Sequence, residues 1–232
     1  MDLNEAVSLK LIPALLVARE NTLKNRLNND GSVNETVTRF LPILTKIYQT
    51  LEKLGYHHSP LSWLSATPPH SKISFGTMPA NKTDTHFSTE ESLSAEKTDY
   101  FSVLRHDLLQ LINSAMFTTI APSALTEIYA FLLCLAEHLP INEASFITLA
   151  PIPVDSIVSM SDGYQFDLLE MITFNKTKPL IINPFTNNPL SAMDIYHLIK
   201  TSIQCNKTHP DVRLKKYLEE LGNPYKVHCQ NN

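Results

Sequence analysis

Glycine and cysteine are both scarce in this chain of 232 residues, and their scarcity excludes several kinds of site. The sequence has five glycines, and neither GxGxxG nor GxxxxGK(S/T) occurs in it, which argues against a glycine-rich phosphate loop. Its three cysteines, Cys134, Cys205 and Cys229, are too few and too far apart for a disulfide framework or a four-cysteine zinc site. GxSxG and HExxH are absent as well. The sequence therefore contains no recognisable arrangement for nucleophilic or metal-dependent catalysis.

An excess of positive charge and a long apolar run are also missing. The chain has 19 basic and 23 acidic residues, a net charge of −4, so it has no overall electrostatic reason to bind nucleic acid or an anionic membrane. No apolar run reaches the roughly 18 residues that a membrane span needs. Hydrophobic residues make up 43% and charged residues 18%, a balance typical of a folded globular protein. We expect reduced thiols in a cytosol-like compartment.

The first part of the chain is dominated by apolar residues at helical spacing. This pattern predicts helices over residues 3–27, from Ser32 or Asn34 to Leu54, from about Thr98 to 115, and over Ala124–Leu139. Pro13 is expected to kink or restart the first helix. Residues 56–97 are rich in Pro, Ser and Thr and show no period, which predicts a long loop. Residues 1–140 are therefore predicted to form a helical domain.

The last third of the chain has a different pattern. Two short segments on either side of Asp162-Gly163, residues 157–160 and 164–166, predict a β-hairpin, and a short helix capped by Asp167 follows it. Two prolines bracket the turn at residues 183–190, and Ser191 is placed to cap the next helix. A final helix is predicted over residues 210–221, within a C-terminal segment 206–232. The fold class is therefore predicted to be α+β.

The order and spacing of these elements resemble a U-box. The resemblance covers residues 146–205, and the matching residues are Ile147, Asp155-Ser156-Ile157, Asp162-Gly163-Tyr164-Gln165-Phe166, a helix, and Asn183-Pro184-Phe185-Thr186-Asn187-Asn188-Pro189-Leu190-Ser191. U-boxes are similar to RING domains but hold no zinc. They act in ubiquitin ligases by recruiting a ubiquitin-charged conjugating enzyme and holding its thioester in a reactive pose, without a covalent intermediate. The resemblance thus implies no cofactor and no metal.

Site residues follow from the resemblance, position by position. Ile147 matches the apolar contact that reaches the conjugating enzyme, with Leu149 beside it. Phe174 falls at the groove position of the helix, and Pro184 matches the proline that completes the groove. Asn187 falls where many active members carry an Arg or Lys that bridges ubiquitin and the conjugating enzyme. Because the first loop is longer by about a residue, Ile152 is a rival for the role given to Ile147.

Two departures from the family pattern leave an alternative open. Asn187 lacks the charge of the usual Arg, and Ser156 stands where Pro is usual. The first hypothesis is a ubiquitin ligase that transfers ubiquitin to a substrate lysine, with the helical part selecting the substrate. The alternative is a non-catalytic interaction module with a degenerate U-box-like fold. A third is a helical adaptor whose resemblance is accidental.

The charge distribution and composition give two further expectations. Residues 1–145 contain 15 acidic and 11 basic residues, whereas residues 146–232 contain eight of each, so the excess negative charge lies in the proposed targeting part. The Asn-, Ile- and Lys-leaning composition, with Glu219-Glu220 near the C-terminal end, resembles that of effectors that intracellular bacteria export into host cells. We therefore expect a cytoplasmic location, either in the source cell or in the cytosol of a host.

Overall fold

A computed structural model describes residues 1–56, 90–115 and 120–208 of the chain. Contacts divide the chain into two compact units, Met1–Ala14 with Pro122–Asn232, and Leu15–Ala121. These units do not coincide with the sequence-based division between residues 140 and 146, which stays a prediction. The predicted helix over 210–221 and residues 57–89 of the predicted loop lie outside the described residues.

The predicted N-terminal helix is present but changes its winding. It consists of α1 (Leu3–Ala6), a π-helical turn (Val7–Leu11) and α2 (Ile12–Lys24). Pro13 has no backbone N–H, and in an α-helix its ring would crowd the carbonyl of residue 9. The wider turn lies directly before Pro13 and relieves that crowding. The proline therefore changes the helical winding without ending the helix.

The second predicted helix is divided at Arg39, three residues before its one proline, Pro42. It forms α3 (Glu35–Thr38) and α4 (Phe40–Lys53), and Pro42 lies in the first turn of α4. Proline is tolerated there because the N–H groups of a first turn have no partner within the helix. Gly55 follows the last apolar residue of the helix, which predicts a C-terminal stop there, and the structure confirms it: Gly55 adopts a φ of 92° and its N–H donates to the carbonyl of Glu52 at 3.0 Å.

The loop predicted over residues 56–97 is wrong for its last eight residues. Helix α5 covers Glu90–Ala115 and begins well before Thr98. Residues 90–97 lack an apolar period but contain glutamates, an alanine and a lysine, which are strong helix formers. The glutamates also lie at the N-terminal end, where the helix dipole favours negative charge. Propensity and charge therefore extend this helix where hydrophobic patterning does not.

The unit formed by Leu15–Ala121 is built around α4 and α5, which pack against each other. Its fully buried side chains come mainly from one face of each helix: Phe40, Leu44, Ile47, Leu51, Leu104, Leu108, Leu111 and Ile112. Their spacing of three, four and seven residues is the apolar stripe that a core-facing helix needs.

The other unit places α6 (Pro122–His138) against α1 and the π-helical turn. A 3₁₀ turn (Val154–Ser156) leads into an antiparallel hairpin of β1 (Ile157–Ser159) and β2 (Gln165–Asp167), in which Val158 pairs with Phe166. Helix α7 (Leu168–Asn175) and helix α8 (Ala192–Thr208) follow. The hairpin, α7 and α8 share one core: Val158, Met160, Phe166, Leu168, Met171, Ile172, Ile181, Leu190, Ile195 and Leu198.

Three predictions about local structure in this unit are confirmed. The hairpin turns at Asp162-Gly163, where Gly163 has a φ of 96°. The Asp167 carboxylate accepts a hydrogen bond from the N–H of Glu170 at 3.0 Å and caps α7. The Ser191 hydroxyl accepts one from the N–H of Asp194 at 3.0 Å and caps α8. The described chain is thus mostly helical with one two-stranded sheet, in the broad α+β class.

None of the helices in the described ranges is both long and apolar enough to cross a membrane.

Candidate functional site

The first loop, residues 141–153, is shaped by a buried serine. The Ser145 hydroxyl accepts hydrogen bonds from the N–H groups of Ile147 (3.1 Å) and Thr148 (3.0 Å) and donates one to Glu170 of α7 (2.5 Å). The Ser145 N–H bonds the Ala150 carbonyl at 2.9 Å and closes the loop on itself. At its base, the Asn142 amide bonds both backbone groups of Gln165 in β2. The loop is therefore held to the hairpin and to α7 by polar contacts.

The tip of this loop presents two large apolar side chains to solvent. Ile147 is 55% exposed and Leu149 is 80% exposed, whereas Ile152 is only 8% exposed. Leu149 has a φ of 57°, in the left-handed region that a leucine rarely adopts. The burial of Ile152 makes it a core residue, so of the two rival isoleucines only Ile147 is exposed. The fold thus holds apolar surface outward at some conformational cost.

The second loop, residues 180–191, is shaped in the same way by a buried asparagine. The side-chain oxygen Oδ1 of Asn183 accepts hydrogen bonds from the N–H groups of Phe185 (2.8 Å) and Thr186 (3.2 Å). Its amide donates to the Asp162 carboxylate in the hairpin turn at 2.8 Å, and its backbone N–H bonds the Asn188 carbonyl. The residue before Pro184 therefore organises the turn that the two prolines bracket.

The residues expected to be functional in this loop lie at different depths. Pro184 is half-buried, whereas Asn187 is exposed and, like Leu149, has a φ of 57°. Asparagine tolerates this conformation better than most residues. Phe185 is 43% exposed and supplies a larger apolar surface than Pro184. No sequence pattern singled out Phe185, although it lies in the Pro-x-Thr turn.

Five rings join the two loops to the hairpin and α7. This aromatic cluster consists of Phe146, Tyr164, Phe166, Phe174 and Phe185. Phe146 of the first loop meets Phe174 of α7 at 5.3 Å between ring centroids and Phe185 of the second loop at 6.1 Å, both edge to face. Tyr164 stacks on Phe185 at 5.2 Å. Edge-to-face and offset contacts at these distances are favourable, so the cluster fixes the two loops beside each other.

The structure therefore brings together most of the predicted site. Ile147 and Leu149 directly follow Phe146 in the first loop, Phe174 is half-buried in the cluster, and Pro184 precedes Phe185. We call Ile147, Leu149, Phe174, Pro184 and Phe185 the loop surface. The Lys178 ammonium lies 4.3 Å from the centroid of the Phe174 ring, so a cation stands at the edge of this surface.

A buried carboxylate ties the hairpin to the helices around it. Asp194 accepts hydrogen bonds from the Ser161 N–H (2.8 Å), the Ser161 hydroxyl (2.7 Å) and the Tyr129 hydroxyl of α6 (3.2 Å). Burial and the neighbouring Asp194 carboxylate raise the pKa of Tyr129 above its usual range, so this phenol stays a hydrogen-bond donor. The network orients α8 relative to the hairpin turn.

A polar cleft lies on the other face of the hairpin. Its volume is about 420 Å³, and it is lined by Glu137, Val154, Ile157, Ser159, Gln165, His197 and Thr201. Burial lowers the pKa of His197, which favours the neutral imidazole at neutral pH. Ser159 and Gln165 form a cross-strand pair, whereas their neighbours Val158 and Phe166 point into the core. The strand alternation thus separates this cleft from the aromatic cluster.

No group of three or more His, Cys, Asp or Glu side chains is close enough to hold a metal ion within residues 1–56, 90–115 and 120–208. Searches of protein-family models, of curated proteins and of solved structures found no match to this chain.

Proposed function

We propose that the chain is a ubiquitin ligase that docks a ubiquitin-charged conjugating enzyme on the loop surface. The observation that carries this proposal is the placement of exposed Ile147 and Leu149 next to an aromatic cluster that Phe174 and Phe185 complete. Large apolar side chains held outward by buried polar residues are typical of a docking surface.

The chemistry asked of such a surface is orientation. In this mechanism the thioester on the conjugating enzyme is attacked directly by a substrate lysine, and the ligase lowers the barrier by holding ubiquitin in the reactive pose. The first loop and Phe185 would bind the conjugating enzyme. Exposed Asn187 would meet the junction of enzyme and ubiquitin, where it can offer hydrogen bonds but no charge. The helical part of the chain would select the substrate.

A specific observation favours a second candidate, the non-catalytic interaction module. The position at which many active members carry a cation is held by Asn187, whose left-handed backbone suits asparagine. A protein of this kind would bind a conjugating enzyme through the loop surface without activating its thioester. Both candidates use the same docking residues, and they differ in whether ubiquitin is transferred.

An autoubiquitination assay with a panel of conjugating enzymes tests the proposal. We expect Ile147→Ala to abolish chain formation while the free energy of unfolding changes by less than about 0.5 kcal/mol, because the side chain is exposed. Ile152→Ala is the matched control: truncation of this buried residue should cost about 2–5 kcal/mol of stability. Binding of a conjugating enzyme without any ligation would favour the second candidate. Normal ligation by Ile147→Ala would contradict both.

A further inference from the structure

The charged residues around the loop surface are few, and those at its edge are cations. Residues 180–191 contain no charged residue, and the first loop contains only Glu143, near its start. Helix α7 contributes Glu170, whose carboxylate is already hydrogen-bonded to Ser145, and the hairpin turn contributes half-buried Asp162, whose carboxylate accepts a hydrogen bond from Asn183. The charges that remain beside Phe174 are Lys176 and Lys178, which follow α7 and are exposed. A partner that covers the loop surface therefore meets positive charge on this side.

Lys178 is exposed, but its side chain lies over an aromatic ring and its backbone is restrained. Its ammonium lies over the Phe174 ring at 4.3 Å, where the ring face attracts a cation. Its backbone N–H bonds the Asn175 carbonyl at 3.1 Å. Pro179 follows directly and restricts the backbone of Lys178 to extended conformations. Part of the entropy cost of fixing this long side chain is thus already met before a partner binds.

Within the part of the chain that the structure describes, Lys178 forms no ion pair with a carboxylate. One side of its ammonium rests on Phe174, and the exposed side has donors left for another group. A carboxylate approaching there would gain a charge-assisted hydrogen bond in an environment that apolar neighbours partly shield from water.

From this geometry we infer that Lys178 is a specificity-determining residue that recognises a carboxylate on the docked partner. The inference rests on the proposed function, since the partner is then a ubiquitin-conjugating enzyme. Among conjugating enzymes, the chain would select those that carry an Asp or Glu next to the apolar residues that contact Ile147, Leu149 and Phe185. Lys176, which directly follows α7, adds to the positive potential, but the contact with the Phe174 ring is made by Lys178.

The test measures binding of the full chain to conjugating enzymes that carry ubiquitin through a stable ester, at about 0.1 M and about 1 M salt. At low salt Lys178→Glu should weaken binding at least about tenfold, and the difference should shrink at high salt. Lys178→Met keeps an apolar stem over Phe174 and should weaken binding less. Lys200→Glu on α8 changes the net charge equally and should bind within about twofold of the wild type.

A charge exchange completes the design. Replacing the partner's Asp or Glu by Lys should restore binding to Lys178→Glu and weaken binding to the wild type. Equal binding by Lys178→Glu and wild type, or equal losses for Lys178→Glu and Lys178→Met at both salt concentrations, would overturn the inference. If binding still depended on Leu149 in those cases, the proposed function would stand. If the wild type bound no conjugating enzyme at all, the proposed function and this inference would both be overturned.

Discussion

Leu149 combines high exposure with an unfavourable backbone conformation. A non-glycine residue in the left-handed region costs roughly 1–2 kcal/mol, and an 80% exposed leucine recovers none of that through burial. Neither property helps the isolated chain to fold. Both are understandable if the side chain is held ready for a partner, because strained positions cluster at binding sites.

Leu149→Asn separates these two roles. Asparagine tolerates the left-handed conformation, so the free energy of unfolding should stay the same or rise by up to about 1 kcal/mol. The apolar contact is lost, so binding of a ubiquitin-charged conjugating enzyme should weaken at least about tenfold. Chemical denaturation and a binding titration measure the two effects. A stable Leu149→Asn protein that binds as well as the wild type would show that Leu149 makes no contact.

Asn187 poses the complementary question, because asparagine suits its left-handed backbone but lacks the charge that many active members of the resembled family carry at this position. Asn187→Arg should raise the rate of ubiquitin discharge from the conjugating enzyme, because an arginine can fork two hydrogen bonds across the junction. The same change should lower stability by about 1 kcal/mol through its φ of 57°.

Asn187→Gly is the matched control for this prediction, because glycine adopts positive φ freely and adds no charge. Its discharge rate should match that of the wild type. Identical discharge rates for the Arg and Gly variants would indicate that the loop tip meets only water.

Both loops of the site depend on one buried polar side chain each. Asn183→Ala removes the two hydrogen bonds from Phe185 and Thr186 and the one to Asp162, each worth about 1 kcal/mol. We expect a loss of about 2–4 kcal/mol in the free energy of unfolding, measured by urea denaturation, together with weaker binding of the conjugating enzyme. Asn188→Ala in the same loop is exposed and should change stability by less than about 0.5 kcal/mol. Equal stabilities for the two variants would contradict the organising role of Asn183.

The helices show where hydrophobic patterning succeeds and where it is incomplete. The apolar stripe of α4 and its glycine terminator were predictable, since both signals lie within a few residues of the structure they specify. The start of α5 at Glu90 was not predicted, because residues 90–97 are helical without an apolar face. The π-helical turn before Pro13 could be anticipated only as a disturbance of the helix.

At the level of the whole chain, the contact-based units join segments that are far apart in sequence. The first 14 residues belong with the segment that begins at Pro122, and α1 packs against α6. No local pattern in either segment specifies this pairing. It depends on which apolar faces remain uncovered once the helices form.

The unit Leu15–Ala121 should lose stability at alkaline pH because of Tyr48. Burial raises the pKa of Tyr48 to about 12, despite the opposing charge of Arg19. The folded state thus disfavours the phenolate, so stability is complete below the ordinary tyrosine pKa of 10.0 and falls as the pH rises towards 12. Two pKa units correspond to at most about 3 kcal/mol.

Tyr48→Phe tests this expectation by pH-dependent denaturation. Among the described residues the Tyr48 hydroxyl is buried without a hydrogen-bond partner, so its removal should leave stability at neutral pH unchanged or slightly higher. Near pH 12, where the wild-type phenol ionises, the variant should retain about 1–3 kcal/mol more stability than the wild type. A difference between the two proteins that stays constant across the alkaline range would contradict the raised pKa.

Short-range signals were enough to predict the hairpin turn, the caps of α7 and α8 and the bracketed second loop, because each is specified by residues within about four positions.

The arrangement of the candidate site was decided only by the tertiary structure. Ile147 and Ile152 are alike in sequence, yet one is exposed and the other buried, because only packing decides which side of the first loop meets the core. Phe146, Phe174 and Phe185 converge from three separate segments, and the φ of Leu149 follows from the hydrogen bonds that close its loop. Local preference acts along the chain, whereas these contacts arise between segments distant in sequence and form only when the hairpin and α7 share a core.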